Sequence, residues 1–218
     1  MLTTFKLAAI TTLILFFIAI PLAYWVAHTK NRFRVVIEAI VSMPLVLPPS
    51  VLGFYLLMAF SPINSPIGIF LKQTFDIQLA FSFEGLVVGS VLFSLPFMVH
   101  PIQSGFSSLN SSLREAAATL GISKIKTLFF IMLPNMKSSL LVGTVLSFAH
   151  TVGEFGVVLM LGGSTRATKV ASIAIYDEVN APNYPLAHQY AFTLFLITFT
   201  MLLCVYILNR RFARADAL

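Results

Sequence analysis

Charge is what this sequence has least of. Asp, Glu, Lys and Arg together supply 10% of its 218 residues, whereas a soluble domain carries about 25%. A chain so short of charge cannot cover a water-facing surface, which excludes a soluble globular fold and implies an integral membrane protein. Cysteine is nearly absent: the lone Cys204 excludes an intrachain disulfide and a cysteine-held metal cluster. A Gly-Lys pair occurs nowhere, so the phosphate loop G-x-x-x-x-G-K-[ST] is missing and any ATP-driven activity must borrow its motor from another chain. There is no internal repeat and no low-complexity segment. His28, His100, His150 and His188 show no His-x-x-Glu-His-like spacing, so no metal site and no catalytic residue is expected, and a membrane enzyme is disfavoured. The net charge of +6 does not point to nucleic acid, because the basic residues fall in short clusters between apolar stretches.

What is present is hydrophobicity: 58% of residues are apolar and the mean hydropathy is +0.91. A membrane crossing needs about 20 mostly apolar residues. Five stretches qualify, at about Leu7–Ala27, Val35–Phe60, Gly85–Ile102, Ser139–Leu161 and Tyr190–Leu208. Each should be a helix, because lipid offers no partner to unpaired backbone groups. The expectation is an all-α integral membrane protein with five transmembrane helices, one membrane domain filling residues 1–218. Lys30, Arg32 and Arg34 follow the first stretch, opposite to the order in a signal peptide. An N-terminus outside then puts ten basic residues (Lys30, Arg32, Arg34, Arg114, Lys124, Lys126, Lys137, Arg210, Arg211 and Arg214) on the cytoplasmic side, with the C-terminus. Four remain outside: Lys6, Lys72, Arg166 and Lys169. That bias is the orienting signal, and it makes the segment of about residues 103–138 a cytoplasmic loop.

Two stretches carry prolines. Pro44, Pro48 and Pro49 predict a kink or a short unwound segment near the middle of the second, and Pro96 sits in the third. Either could serve packing or a pathway.

The cytoplasmic loop predicts two short helices. Ser112 and Glu115 have the spacing of a capping box, starting a helix near Leu113. Gly121 suits the left-handed residue that ends it. Ser123 caps a second helix through Met132, and Pro134 separates that helix from the next span. The loop resembles the E-A-A motif of ABC importer permeases: Glu115-Ala116-Ala117, then Gly121, Ile131 and Leu133-Pro134 match the pattern at every spacing. The resemblance implies the type I importer core, with the first loop helix acting as a coupling helix that docks on a cytosolic ATPase. The cofactors it implies, ATP and Mg, belong to that partner and none to this chain.

Further blocks resemble the molybdate permease family: Pro44-Leu-Val-Leu-Pro-Pro49 before Gly53, Gly153-Glu-Phe-Gly156 running into Leu159-Met-Leu-Gly-Gly163, and Ala174-Ile-Tyr-Asp177. Sulfate permeases carry related blocks. Where the family has an arginine just before Gly-Glu-Phe-Gly, this sequence has His150. The resemblance implies a homodimer around a central pathway, two ATPase subunits, an extracytoplasmic molybdate-binding protein, surrounding membrane lipid, and transport by alternating access. The alternatives left open are a sulfate, thiosulfate or tungstate permease and, more remotely, an ATP-independent channel or carrier.

No Lys or Arg lies deep in a span, so affinity for the anion is better placed on the binding protein, and the pathway is left free to release it. Ser90, Ser94, Ser147 and Thr151 are the neutral candidates for a pathway lining. Pro44, Pro48, Pro49, Gly153, Glu154 and Gly156 are candidates for structural or gating roles. A carboxylate inside a span costs about 2.5–3.5 kcal/mol to insert. Glu154, four residues after His150, is therefore expected to pair structurally rather than line an anion path. Glu38 is expected to pair with Arg34 at i,i+4.

Overall fold

The computed structural model describes residues 1–165 and 167–215, with side chains through Ile207. Arg166 and the tail arginines Arg210, Arg211 and Arg214, which entered the charge bias, lie outside the described side chains. Eleven α-helices follow one another, and no strand occurs among the described residues. They are α1 (Leu2–His28), α2 (Phe33–Ser42), α3 (Pro49–Phe60), α4 (Pro66–Phe75), α5 (Phe83–Ser108), α6 (Ser111–Thr119), α7 (Lys124–Thr127), α8 (Lys137–Val152), α9 (Gly156–Gly162), α10 (Ala171–Asn180) and α11 (Tyr184–Ala215).

Four helical segments are long and apolar enough to cross a membrane: Leu2–His28, Phe83–Ser108, Lys124–Val152 and Tyr184–Ile207. A fifth crossing exists if Phe33–Leu45 and Pro49–Phe60 count together, and these are bent by 110°. The expected kink in the second span is thus a sharp turn. Pro44 starts a tight 3-10 turn, Pro48 is extended at ψ 133°, and Pro49 opens α3 at the one place where a missing N–H costs nothing. Pro21, Pro96 and Pro101 stay inside continuous helices, where neighbouring helices absorb the lost bond.

The fourth span differs from its expected bounds at both ends. Pro134 does not separate the loop helix from the membrane helix. The chain stays helical from Lys124 to Val152 through a wide π turn (Leu128–Met132) and a 3-10 turn (Leu133–Met136). The altered turns absorb the proline's missing donor, and the Asn135 side-chain amide donates to the Ile131 carbonyl at 2.6 Å. At the far end the helix breaks at Gly153, and α9 restarts at Gly156.

Helices α1 and α5 form the centre. On one side Leu15, Ala19 and Ala23 of α1 pack with Met98, Ile102 and Phe106 of α5 and with Met132 and Met136. On the other, Leu7 and Leu86 pack with Val157, Val158 and Leu161 of α9. By contrast α11 exposes Phe192, Phe195, Phe199 and Leu203, an apolar surface suited to lipid or to another subunit.

Candidate functional site

A polar seam joins α5 to the end of α8. Ser90 and Ser94 lie one turn apart on α5 and are fully buried. Ser90 donates to Glu154 Oε2 at 2.7 Å. Ser94 Oγ lies 2.8 Å from His150 Nδ1 and 2.9 Å from Thr151 Oγ1, and Thr151 donates to the Ser147 carbonyl at 2.9 Å. Ser172 of α10 donates to the Glu154 main-chain carbonyl at 2.6 Å, satisfying a group freed by the helix break. Glu154 is 3% exposed, and its Oε1 has no protein partner among the described residues. Its carboxyl and the His150 ring thus point to different serines. They do not form one helix face, because α8 ends at Val152 before Glu154 is reached.

These placements bear on the sequence candidates. Ser90, Ser94, Ser147 and Thr151 are all buried in the seam, and none stands on the wall of the large cavity beside it. That cavity, of about 640 Å³, opens where the two broken segments meet. Pro49 and Ser50 of α3, Phe93 of α5, His150, Glu154 and Gly156 contribute to its wall. Its size lies within the range of small-ligand sites, about 300–1,000 Å³. The His150 ring is stacked on Phe97 at 3.9 Å between centroids and tilted against Phe93 at 4.7 Å. Gly156 makes the junction possible: a Cβ there would sit 2.8 Å from Pro49 Cβ and 3.1 Å from Ser50 N. Gly153 has no such constraint, its nearest neighbour to a Cβ being the Ala149 carbonyl at 3.6 Å. Pro44 and Pro48 shape the bend but do not reach the cavity wall.

The second feature is the exposed loop of α6 and α7. The helix begins two residues earlier than the Ser112–Glu115 spacing implied. Asn110 is the cap, its side chain accepting from Ser112 N at 3.0 Å, which leaves the Glu115 carboxylate free to face outward. Glu115 and Ala116 are exposed while Ala117 is buried. Gly121 adopts φ +70°, and its N–H bonds the Ala118 carbonyl at 3.0 Å while that of Ile122 bonds the Ala117 carbonyl at 2.9 Å. This pair of bonds is the Schellman ending, which needs a left-handed residue at that position. Ser123 then caps α7. Ile131 and Leu133 are partly buried and Pro134 is exposed.

Elsewhere, Arg34 and Glu38 pair as expected at 3.1 Å, and Gln103 adds a second donor to the same carboxylate oxygen at 2.7 Å. His100 bonds Ser42 and so sits apart from His150. No cluster of three metal-ligating side chains occurs among the described residues. On the far side of the break, Lys169 meets Asp177 at 2.6 Å, and Ser164 donates to the same carboxylate. The Lys169 hydrogen bond holds the Asp177 carboxyl below its ordinary range, helped by Ser164.

Sequence reasoning gave His150 no part in a pathway, nor Ser172 or Phe97 any part in the site. The signal available for His150 was its position, one place where the resemblance led one to expect arginine.

Apolar crossing helices, a cavity at paired helix breaks and an outward-facing capped loop define a membrane permease of the ABC importer fold. The chain belongs to the family of binding-protein-dependent transport system inner membrane components, whose sequence model matches residues 19–215. It is 42% identical over 210 residues to the molybdenum transport system permease protein of Azotobacter vinelandii, covering 96% of this chain and 92% of that one. It is 32% identical to the sulfate transport system permease protein of Salmonella typhimurium, covering 85% and 68% of the two. The crystal structure of a bacterial alginate ABC transporter, in complex with its pentasaccharide-bound periplasmic protein, matches with a TM-score of 0.80 at 18% identity, covering 97% and 77%. That last likeness speaks for the fold.

Proposed function

We propose that this chain is the permease subunit of an importer that moves molybdate across the cytoplasmic membrane by ATP-driven alternating access. The observation that carries the substrate is the 42% identity, spanning almost both chains, to a molybdenum permease. The motor coupling is supported by the loop. Glu115, Ala116, Ala117, Gly121, Ile131, Leu133 and Pro134 keep the E-A-A spacing, and the exposed, rigidly capped α6 offers a small-residue surface on which another backbone can close. The partners in this proposal are a second copy of the chain, two cytosolic ATPase subunits holding ATP and Mg, and an extracytoplasmic molybdate-binding protein. The N-terminus lies outside and the C-terminus in the cytoplasm.

Within the chain, the cavity between α3, α5 and the α8–α9 break is the proposed stretch of pathway. Ser90, Ser94, Ser147 and Thr151 support its wall from one layer behind. Pro44, Pro48, Pro49, Gly153, Glu154 and Gly156 fix the two breaks against each other. A sulfate importer is the second reading, favoured by the 32% identity to a sulfate permease.

The test is deletion of the gene followed by elemental mass spectrometry in medium with scarce molybdate. Loss of cellular molybdenum with sulfur unchanged, restored by high external molybdate, is the expected result. Unchanged molybdenum with lost sulfate or tungstate uptake overturns the substrate.

A further inference from the structure

The seam has a direction, and the direction fixes a proton. A carbonyl only accepts, so Thr151 must donate its single hydroxyl hydrogen to Ser147 O. The 2.9 Å contact between Thr151 Oγ1 and Ser94 Oγ is then donated by Ser94. Ser94 has spent its one hydrogen as well, so at 2.8 Å it can only accept from His150 Nδ1. The neutral His150 ring therefore carries its hydrogen on Nδ1 and a bare lone pair on Nε2. Nε2 takes no hydrogen bond from the described residues, yet is not among the buried unpartnered atoms, and the residue stands on the cavity wall. Phe97 stacks on one face of the ring and Phe93 lies tilted against it, so it cannot readily turn the other edge inward.

A lone pair repels an oxyanion. No Lys or Arg contributes to the cavity wall, where α3 supplies Pro49 and Ser50, α5 supplies Phe93, and α9 is apolar. The other ionisable group there, Glu154, directs one carboxyl oxygen at Ser90 and buries the other. An anion in this cavity can thus gain a charged donor in one way, by a proton joining Nε2.

We propose that His150 is the anion contact of the pathway and that a tetrahedral oxyanion occupies the cavity together with a proton. The proton moves from water to Nε2 as the anion arrives, giving an imidazolium paired with the oxyanion. It returns to water as the anion leaves, and no covalent bond changes. This rests on the oxyanion-importer reading above. It also supplies what a pathway needs, a donor that is charged while the cargo is present and neutral when it must go.

The test uses the assembled transporter in proteoliposomes with saturating binding protein and ATP, reading initial molybdate uptake between pH 8 and 6. Position 150 does not titrate in His150→Gln or His150→Arg, so their profiles should run parallel and report the pH response of every other group, Glu154 and the partners included. Wild-type uptake relative to either should rise about fivefold or more as pH falls across that range. In Ser94→Ala the tautomer is released and Nε2–H becomes available to the neutral ring, so this ratio should flatten. Wild type running parallel to both variants overturns the proposal. Should the variants fail to assemble, ring-nitrogen spectra of the ¹⁵N-histidine-labelled wild-type transporter decide. One ring should be protonated on Nδ1 without molybdate and on both nitrogens with it, and spectra unchanged by molybdate overturn the proposal. Wild-type uptake of sulfate in place of molybdate overturns the substrate assignment alone, and the ratio is then read with sulfate. No uptake of either anion overturns both.

Discussion

The exposed loop and the buried seam are built by opposite means. In the loop, every defining bond is local: Asn110 caps α6 two residues on, and Gly121 closes it within five residues. In the seam the bonds that join α5 to the end of α8 span more than fifty residues, from Ser90 to Glu154 and from Ser94 to His150. The loop's turns are therefore set by its own neighbouring residues, and its acidic Glu115 and small Ala116 stay exposed for a partner. The seam exists only once α5 and α8 have packed, and its Ser90, Ser94 and Thr151 hydroxyls are spent on groups within it. Changes in the seam should cost folding and cargo handling together. Changes in the loop should cost coupling alone.

The largest effect that would sharpen this contrast is expected at Gly156. Replacing it with leucine drives a side chain into Pro49 and Ser50, and overpacking of this kind costs about 1–3 kcal/mol. Gly153→Ala meets only ordinary contacts and should stay within about 0.5 kcal/mol. Thermal unfolding of the purified chain in detergent separates the two, and equal losses would deny that the α3–α9 approach fixes the breaks.

Next comes Glu154. Alanine there strands the buried Ser90 hydroxyl, a loss of about 1–3 kcal/mol. Glutamine keeps an acceptor for Ser90 and should be milder in the same assay. Similar losses for both would mean that the charge, and not the hydrogen bond, is what the seam uses.

In the loop, Gly121→Val places a β-branched residue at φ +70°, a strain of about 1–2 kcal/mol. Confined to the loop, it should leave the yield of folded chain unchanged while sharply reducing recovery of the ATPase in pull-down. Loss of folded chain instead would break the comparison. Asn110→Ala removes the cap at about 1 kcal/mol of helix stability, and faster amide exchange in α6, with the α5–α8 exchange unchanged, is its expected signature.

The smallest effect is at Asp177. Its folded-state pKa lies below the ordinary carboxylate value of about 3.9. The ion pair with Lys169 therefore contributes stability above that value and loses it as pH falls through the lower folded one. Because the site is partly exposed, the change should be a local rise in amide exchange around residues 167–170 below about pH 4, absent in Asp177→Asn.

The same contrast explains what was legible beforehand. The E-A-A spacing, the Gly121 turn and the Ser123 cap are written in neighbouring residues, so they read directly. Asn110 was passed over because Ser112 and Glu115 offered a competing local pattern. The prolines announced a break in the second span but not its 110° bend, which fits a close approach set by Gly53 and Gly156 from distant segments. Pro134 read as a stop, yet a π turn carries the helix through it, and the Asn135 side chain satisfies the neighbouring Ile131 carbonyl. Ser90, Ser94, Ser147 and Thr151 were recognisable as polar groups at membrane depth. Which way they face depends on α5–α8 packing, to which no local pattern corresponds, and so the place of His150 on the cavity wall was hidden too.

The central claim is that this chain passes molybdate only when driven by ATP. The direct measurement is radiolabelled molybdate uptake into proteoliposomes holding the chain with its ATPase and binding protein, with ATP or a non-hydrolysable analogue supplied on the ATPase side. Uptake that requires hydrolysable ATP and persists in excess sulfate is the predicted result. Uptake that proceeds equally with the analogue would contradict the account and make the chain a channel or carrier.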